Sequence, residues 1–498
     1  MNKLRKLKAV LWLLLGVLSA GSMGYYVVAI WSANQPAHFN DLYAPWWGAH
    51  ELLLHGRNPY SPDVAHEIQT VIYGAPADAT SADDPANIAG GFAYPPYAAL
   101  LLWPTVYLSF SSAQKVFLVV SAVGTLLSLA LWLRVLRFRP SPLLWLTIAL
   151  FALGSFPVLQ AFQLQNLSLI AAVFIAVTMF LLSANHLVLA GIFLAISTFK
   201  PQFTIALIPW LALWTVRDWR RRRSLAWSFV TSMLLLGLAS GWLVPGWIRS
   251  FVNVLRAYRH YTYGHSLLDV WFTPKWGLPM AAFVLIAMLF LCWRYRSQPA
   301  DSMSFVAVIS LLLAVTLIII PTLAPHTQLL LLPGLLCLLR RRTLLWSPGL
   351  WSSGLRSSGL WSSGALPRLA LAATWGLLAW PWIAAFGLLL AGFRLPVSAL
   401  LHYWDVPLYT SPLLPLAVSL ALGCVLRFDL GTGDGSFARG AVETARLSCS
   451  TSCSTSRAGM LRDLGGKKEF NREGRKGIAQ AAKVWRLDGA GENGSTQR

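Results

Sequence analysis

A chain of 498 residues that is 56% hydrophobic and only 12% charged, with 24 tryptophans and a positive mean hydropathy, falls outside the ordinary soluble class. Its net charge of +21 would point to nucleic acid in a soluble protein, but here lysine and arginine gather in clusters between apolar runs. That is the topology signal of a polytopic membrane chain, and it excludes a nucleic-acid partner.

In chain order, four bases within the first eight residues precede an apolar run over 9–31, long enough to cross about 30 Å of hydrocarbon at about 1.5 Å per residue. The run is longer than a signal-peptide core and no small-x-small cleavage site ends it, so it reads as an uncleaved helix with a cytoplasmic N-terminus. Residues 32–96 follow as a long outside loop, with seven acids against a lone Arg57. Within it Asp41 sits among Phe39, Tyr43, Trp46 and Trp47, aromatics of the membrane interface. Trp47, Leu52, Leu53 and Leu54 alternate with His50, Glu51 and His55 at helical spacing, which predicts a helix lying on the bilayer surface and stopped by Gly56 and Asn58-Pro59-Tyr60. Residues 74–87 read as irregular, and Tyr94-Pro95-Pro96 stiffens the return to the membrane.

The apolar piece 97–110 is too short to span, and the run 113–136 crosses to Arg134, Arg137 and Arg139. Runs at 143–160 and 166–184 flank a polar tip that includes Gln165 and Asn166, and runs at 187–199 and 201–216 flank Lys200-Pro201-Gln202. The chain then returns to the dense basic cluster 217–223. Further runs lie at 225–245, 279–293, 303–322, 325–339, 369–392 and 407–426. The expectation is an all-α polytopic membrane protein of about 12 transmembrane helices with both termini inside, residues 1–430 forming one membrane domain. Residues 343–367 read as a low-complexity cytoplasmic linker and 431–498 as a disordered basic tail. Cys449 and Cys453 lack the second pair that a zinc site needs, and Asp83 and Asp84 lie in a loose acidic stretch, so neither metal nor cofactor is expected.

On this topology Asp41, Asn58, Tyr60, Tyr94, Gln165, Asn166, Lys200, Gln202, His326 and Gln328 all fall on the non-cytoplasmic side, and polar groups at membrane depth are costly unless they share a cavity. The outside loop 246–278 adds Arg256 and Arg259, against the positive-inside pattern. A ligand phosphate would account for them, and so would lipid headgroups.

The ordered set of Asp41, Gly56-x-Asn58-Pro59-Tyr60, Tyr94-Pro95-Pro96, Gln165-Asn166, Lys200-Pro201-Gln202 and Pro325-His326-x-Gln328 resembles the polyprenyl-phosphate-mannose-dependent alpha-mannosyltransferases of glycosyltransferase family 87, integral-membrane enzymes of the GT-C class. The resemblance spans residues 1–430. It implies transfer of a sugar, mannose in that family, from a polyprenyl-phosphate donor to a hydroxyl of a lipid-linked or extracytoplasmic glycan at the outer face of the inner (plasma) membrane. Asp41 matches the family's catalytic aspartate and would serve as general base, because inversion needs one carboxylate on the attacking face and a lipid phosphate leaves without a general acid. Lys200, Arg256, Arg259 and His326 would then hold phosphate, while Gln165, Asn166, Gln202 and Gln328 read sugar hydroxyls. Simpler roles compete: Asp41 as a helix cap, Lys200 snorkelling, His326 satisfying carbonyls freed by Pro325, Gln165 and Asn166 filling a helix break. A transporter or flippase of lipid-linked glycans would also place polar groups at broken helices, but it should show internal repeats, and none is visible.

Overall fold

The computed structural model describes residues 9–21, 41–76, 84–261, 266–320, 324–346, 365–403 and 405–431, with a few isolated positions besides. Every regular element among them is helical. Helix α1 covers Ala9–Gly21. In the first loop lie α2 (Tyr43–His55), α3 (Pro62–Tyr73) and a 3-10 turn at Pro85–Ile88. Then come α4 (Ala98–Val106), α5 (Phe110–Val135), α6 (Pro142–Leu153), α7 (Phe156–Gln163), α8 (Ser168–Ser183), α9 (Leu187–Ser197), α10 (Leu207–Arg217) and α11 (Trp219–Leu243). The second half holds α12 (Trp247–Tyr261), α13 (Leu267–Cys292), α14 (Met303–Ile319), a 3-10 segment Pro325–Leu331, α15 (Leu332–Trp346), α16 (Ala365–Gly392), α17 (Val397–His402) and α18 (Leu414–Gly431).

Length sorts these helices. Four stretches are long and apolar enough to cross a membrane, at Phe110–Val135, Trp219–Leu243, Lys275–Tyr295 and Leu366–Gly392, and α6 with α7 makes a fifth if their 52° bend is counted within one span. The expected twelve is not what these give. Helices α9 and α10 have 11 residues each, about 16 Å at the α-helical rise, roughly half the hydrocarbon thickness. The breaks themselves fall where the sequence places polar tips, at Gln165-Asn166 and at Lys200-Pro201-Gln202.

Helix α14 sits at the centre. Every residue from Phe305 to Ile319 is buried, as befits a helix apolar all round. Around it pack α13, α15 and α18. Helices α8 and α9 pair with each other and with α5 and α11 respectively.

The basic turns meet at one end. Arg137 pairs with Asp301, Arg340 donates to the Leu136 carbonyl, and Arg222 donates to the carbonyls of Trp214 at 2.5 Å and Arg296 at 3.1 Å. Arg222 also lies over the Trp214 ring at 3.7 Å.

Two expected segments are packed against neighbours. Helix α2 docks on α4: Trp46 Nε1 donates to the Thr105 carbonyl at 3.1 Å, and a Cβ at Gly48 would meet Phe92. Its polar face can be buried because Arg57 folds back to pair with Glu51 at 2.7 Å and Glu67 at 2.8 Å, leaving Glu51 only 3% exposed. The stretch 246–278 is also no open loop: α12 packs on the 3-10 turn at Pro85–Ile88, and α13 begins at Leu267. The capping box of Ser266 and Asp269 starts α13 early, and Thr273, at φ 69°, kinks it before the apolar stretch. The linker expected at 343–367 and the tail at 431–498 lie largely outside the described residues.

Gly191 of α9 lies against α11. A Cβ there would overlap Ser228 and come within 2.7 Å of the Leu225 carbonyl. Gly191→Ala should therefore lower stability by about 1–3 kcal/mol through overpacking. Thermal unfolding in detergent checks this; an unchanged melting temperature would show that the pair can part at no cost.

Candidate active site

The chain enters the site through its backbone. The N–H of Asp41 donates to the Leu164 carbonyl at 2.7 Å, pinning the head of the first loop to the turn between α7 and α8. In that turn Gln165 takes φ 51°, a left-handed conformation that costs a non-glycine residue about 1–2 kcal/mol. Such outliers gather at functional sites. The turn is further fixed by Asn166, whose Oδ1 accepts from the Ser168 N–H at 2.9 Å and the Ser168 hydroxyl at 2.5 Å.

Asn166 then joins two charges. Its Nδ2 donates to Asp41 Oδ2 at 2.6 Å, and its Oδ1 accepts from Lys200 Nζ at 2.7 Å. The amide is suited to this because it carries a donor and an acceptor on one planar group. Lys200 donates also to Ser168 Oγ at 2.6 Å and sits 5.2 Å from the Phe203 ring centre. Its side chain comes from the break between α9 and the short 3-10 turn Pro201–Phe203, and it is 5% exposed. It does not snorkel. Nor does Asp41 cap a helix, since α2 has Leu42 at its N-cap.

Burial governs the proton affinities. It raises the Asp41 carboxyl above the usual range, opposed by the Asn166 hydrogen bond and the Lys200 charge. It pulls the Lys200 amine down to about 8, with Asp41 partly opposing. Burial and the charge of Asp41 both raise the phenols of Tyr73 and Tyr94.

Other expected residues stand around this array. His326 N–H donates to Gln160 Oε1 at 3.0 Å, which ties the segment Pro325–Leu331 to α7. Two buried polar atoms, Nδ1 of His326 and Oε1 of Gln165, have no hydrogen-bond partner among the described residues. Tyr60 donates its hydroxyl to the Tyr94 carbonyl at 2.5 Å, and Asn58 Oδ1 accepts from the Tyr60 N–H at 3.0 Å. Both therefore brace Tyr94 from behind. Gln328 Nε2 donates to the Ser411 carbonyl at 2.7 Å, and Gln202 is half-buried beside Lys200. Arg256 is exposed on α12, while the Arg259 side chain lies outside the described residues.

Ser168, Gln160 and Tyr73 were not anticipated. Ser168 had a signal: it stands two residues beyond Asn166, the spacing at which an asparagine turn closes on a following N–H. Gln160 and Tyr73 had none, because their roles follow from packing alone. Among the described residues one group has metal-ligand geometry, His50, Glu51 and His55, and there Glu51 Oε1 already lies 3.1 and 3.2 Å from the two imidazole nitrogens.

A bundle of apolar helices with a buried acid, amide and amine joined at one end, and basic turns meeting elsewhere, defines an integral-membrane protein with a polar site built at broken helices. Residues 92–321 match the model of glycosyltransferase family 87. The match includes Tyr94, Gln165, Asn166 and Lys200, whereas Asp41 and His326 flank it. No curated protein and no solved structure matches.

Asn166→Ala should leave Lys200 and Asp41 without their shared partner. Losing satisfied hydrogen bonds to buried charged groups costs about 1–3 kcal/mol or more. Thermal unfolding should show this loss, and Asn166→Asp should not restore it, because an acid offers Asp41 no donor when ionised.

Proposed function

We propose that this protein is an inverting glycosyltransferase that moves a sugar, mannose as in the family it resembles, from a polyprenyl-phosphate carrier to a hydroxyl of a lipid-linked or extracytoplasmic glycan. The observation that carries this reading is the Asp41–Asn166–Lys200 array, an acid and a cation held a single amide apart at one end of the bundle. Asp41 is the general base: as a carboxylate it takes the acceptor's proton as the hydroxyl attacks the anomeric carbon, and the carrier phosphate departs with the bonding electrons. Its raised proton affinity suits that role, since a base works best with a pKa near the working pH. Lys200 is the cation that receives the developing phosphate charge, exchanging part of its present bonding to Asn166 and Ser168 for phosphate oxygens. The unpaired Nδ1 of His326 and Oε1 of Gln165 are the groups a donor headgroup would satisfy. In this reading Asn58 and Tyr60 position Tyr94, which their hydrogen bonds support, and Arg256, exposed on α12, would meet the carrier phosphate.

Donor labelled in its sugar, presented to the purified chain in vesicles, tests this. Asp41→Asn should lower kcat by about 10²–10⁴ while donor binding stays; normal turnover would remove Asp41 from the chemistry.

The pH profile should be a bell. Activity rises as Asp41 loses its proton, above the range of an ordinary carboxylate, and falls as Lys200 loses its own near pH 8. Lys200→Arg should carry the alkaline limb upward, because a guanidinium stays charged throughout. An alkaline limb that does not move would assign it to another group.

A further inference from the structure

The last turns of α2 carry a cluster that the transfer mechanism does not use. Nδ1 of His50 and Nδ1 of His55 approach the same oxygen, Glu51 Oε1, at 3.1 and 3.2 Å, and the three atoms all lie within 4.8 Å of one another. The helix itself gathers them. At about 100° per residue, Glu51 stands about 100° and His55 about 140° round the axis from His50, so the three share one side of α2.

Neighbouring groups hold the cluster in place. The other carboxylate oxygen, Glu51 Oε2, accepts from Arg57 at 2.7 Å, and Arg57 is fixed in turn by Glu67 at 2.8 Å, so Oε1 is left to face the two rings. The His50 ring lies 7° from parallel with the Trp47 indole, centres 5.0 Å apart, which sets its plane. Outer partners of this kind orient metal ligands and strengthen binding. Glu51 is buried, whereas the His55 side chain is 53% exposed and gives the group a path to water.

From this geometry we infer that His50, Glu51 and His55 form a binding site for one divalent ion of the zinc type, with water as the fourth ligand. Two imidazoles and a carboxylate are a ligand set that zinc takes, whereas calcium and magnesium require more oxygens than the cluster offers. Ligand atoms about 2.1 Å from a tetrahedral ion stand about 3.4 Å apart, so the two short separations need to widen by only a few tenths of an ångström. The exposed His55 ring can turn to close the third edge. Charge agrees as well, since Glu51 and Glu67 outnumber Arg57 and leave the cluster negative before the ion enters.

The ion is structural and takes no part in the transfer. His50 stands seven residues beyond Tyr43, about 10 Å along α2 at about 1.5 Å per residue, and Asp41 precedes the helix. By joining Glu51 to His55 the ion closes the last turn of α2, just before Gly56 reverses the chain at φ 64°. Through Glu51 and Arg57 it also steadies α3.

The full chain, untagged, is purified in detergent, stripped with EDTA and titrated with zinc alone. Bound zinc is counted by mass spectrometry, and cobalt(II) in its place reports coordination by visible absorption. Wild type should take up about one equivalent, show the cobalt bands of a four-coordinate site, and unfold at a higher temperature with zinc than in EDTA, since an ion that binds the folded chain stabilises it. His55→Ala should lower zinc affinity by at least about tenfold and erase the zinc-dependent rise, while unfolding in EDTA stays close to wild type because the lost ion pair is exposed. His50→Ala, as a second ligand variant, should lose the ion too. His186→Ala, which removes an exposed histidine next to α9, should bind as wild type does. No zinc uptake by wild type would overturn the site and leave the two imidazoles as hydrogen-bond donors to Glu51. Uptake kept in both ligand variants, or lost equally in His186→Ala, would overturn it as well, because the ion would then be held elsewhere. None of these readouts involves sugar transfer, so the site stands or falls apart from the glycosyltransferase reading.

Discussion

The structure depends on how one buried cation is kept charged. An ammonium with 5% of its surface exposed, like that of Lys200, would be deeply unfavourable alone. Here it has a hydroxyl, an amide oxygen and, beyond the amide, a carboxylate. Removing one member leaves a charge or a polar group stranded, so the array tolerates little change. It also fixes architecture. The head of the first loop, the turn between α7 and α8, and the break after α9 are bound together through Asp41, Asn166 and Lys200, although they are far apart in the chain.

The same economy explains the broken helices. A continuous span would satisfy its backbone internally and leave no backbone N–H or C=O free to shape a turn. By ending α7 at Gln163 and α9 at Ser197, the chain opens short irregular turns whose side chains meet at one end of the bundle. The left-handed backbone at Gln165 is part of that arrangement. The bend between α6 and α7 brings Gln160 to the N–H of His326.

Outside the bundle, the described residues of the first loop hold one another in place. Arg57 ties Glu51 to Glu67, Tyr60 braces the turn at Tyr94, and Phe92 fills the space left by Gly48. Rigidity there matters for a transfer reaction, since a base must be held within about half an ångström of its working position. Tyr97 reaches across to Thr198 at 2.8 Å, which couples the loop's return to the break that carries Lys200.

Much of this was legible in the amino-acid order. Apolar runs and basic clusters determined a helical membrane protein, because hydrocarbon admits few other solutions. Polar residues at interruptions of those runs singled out Asp41, Asn166 and Lys200, since a costly residue at depth needs a reason. Tertiary structure alone decided which of them touch. It made Asn166 the bridge, turned Asn58 and Tyr60 into supports, drew Gln328 toward Ser411, and converted an expected surface helix and an expected loop into packed elements. Hydropathy is a one-dimensional average over neighbours in the chain, whereas a hydrogen bond between Asp41 and Asn166 depends on how separate helices pack and turn. That is why composition settles what kind of solvent surrounds the protein, and only the fold settles which atoms meet inside it.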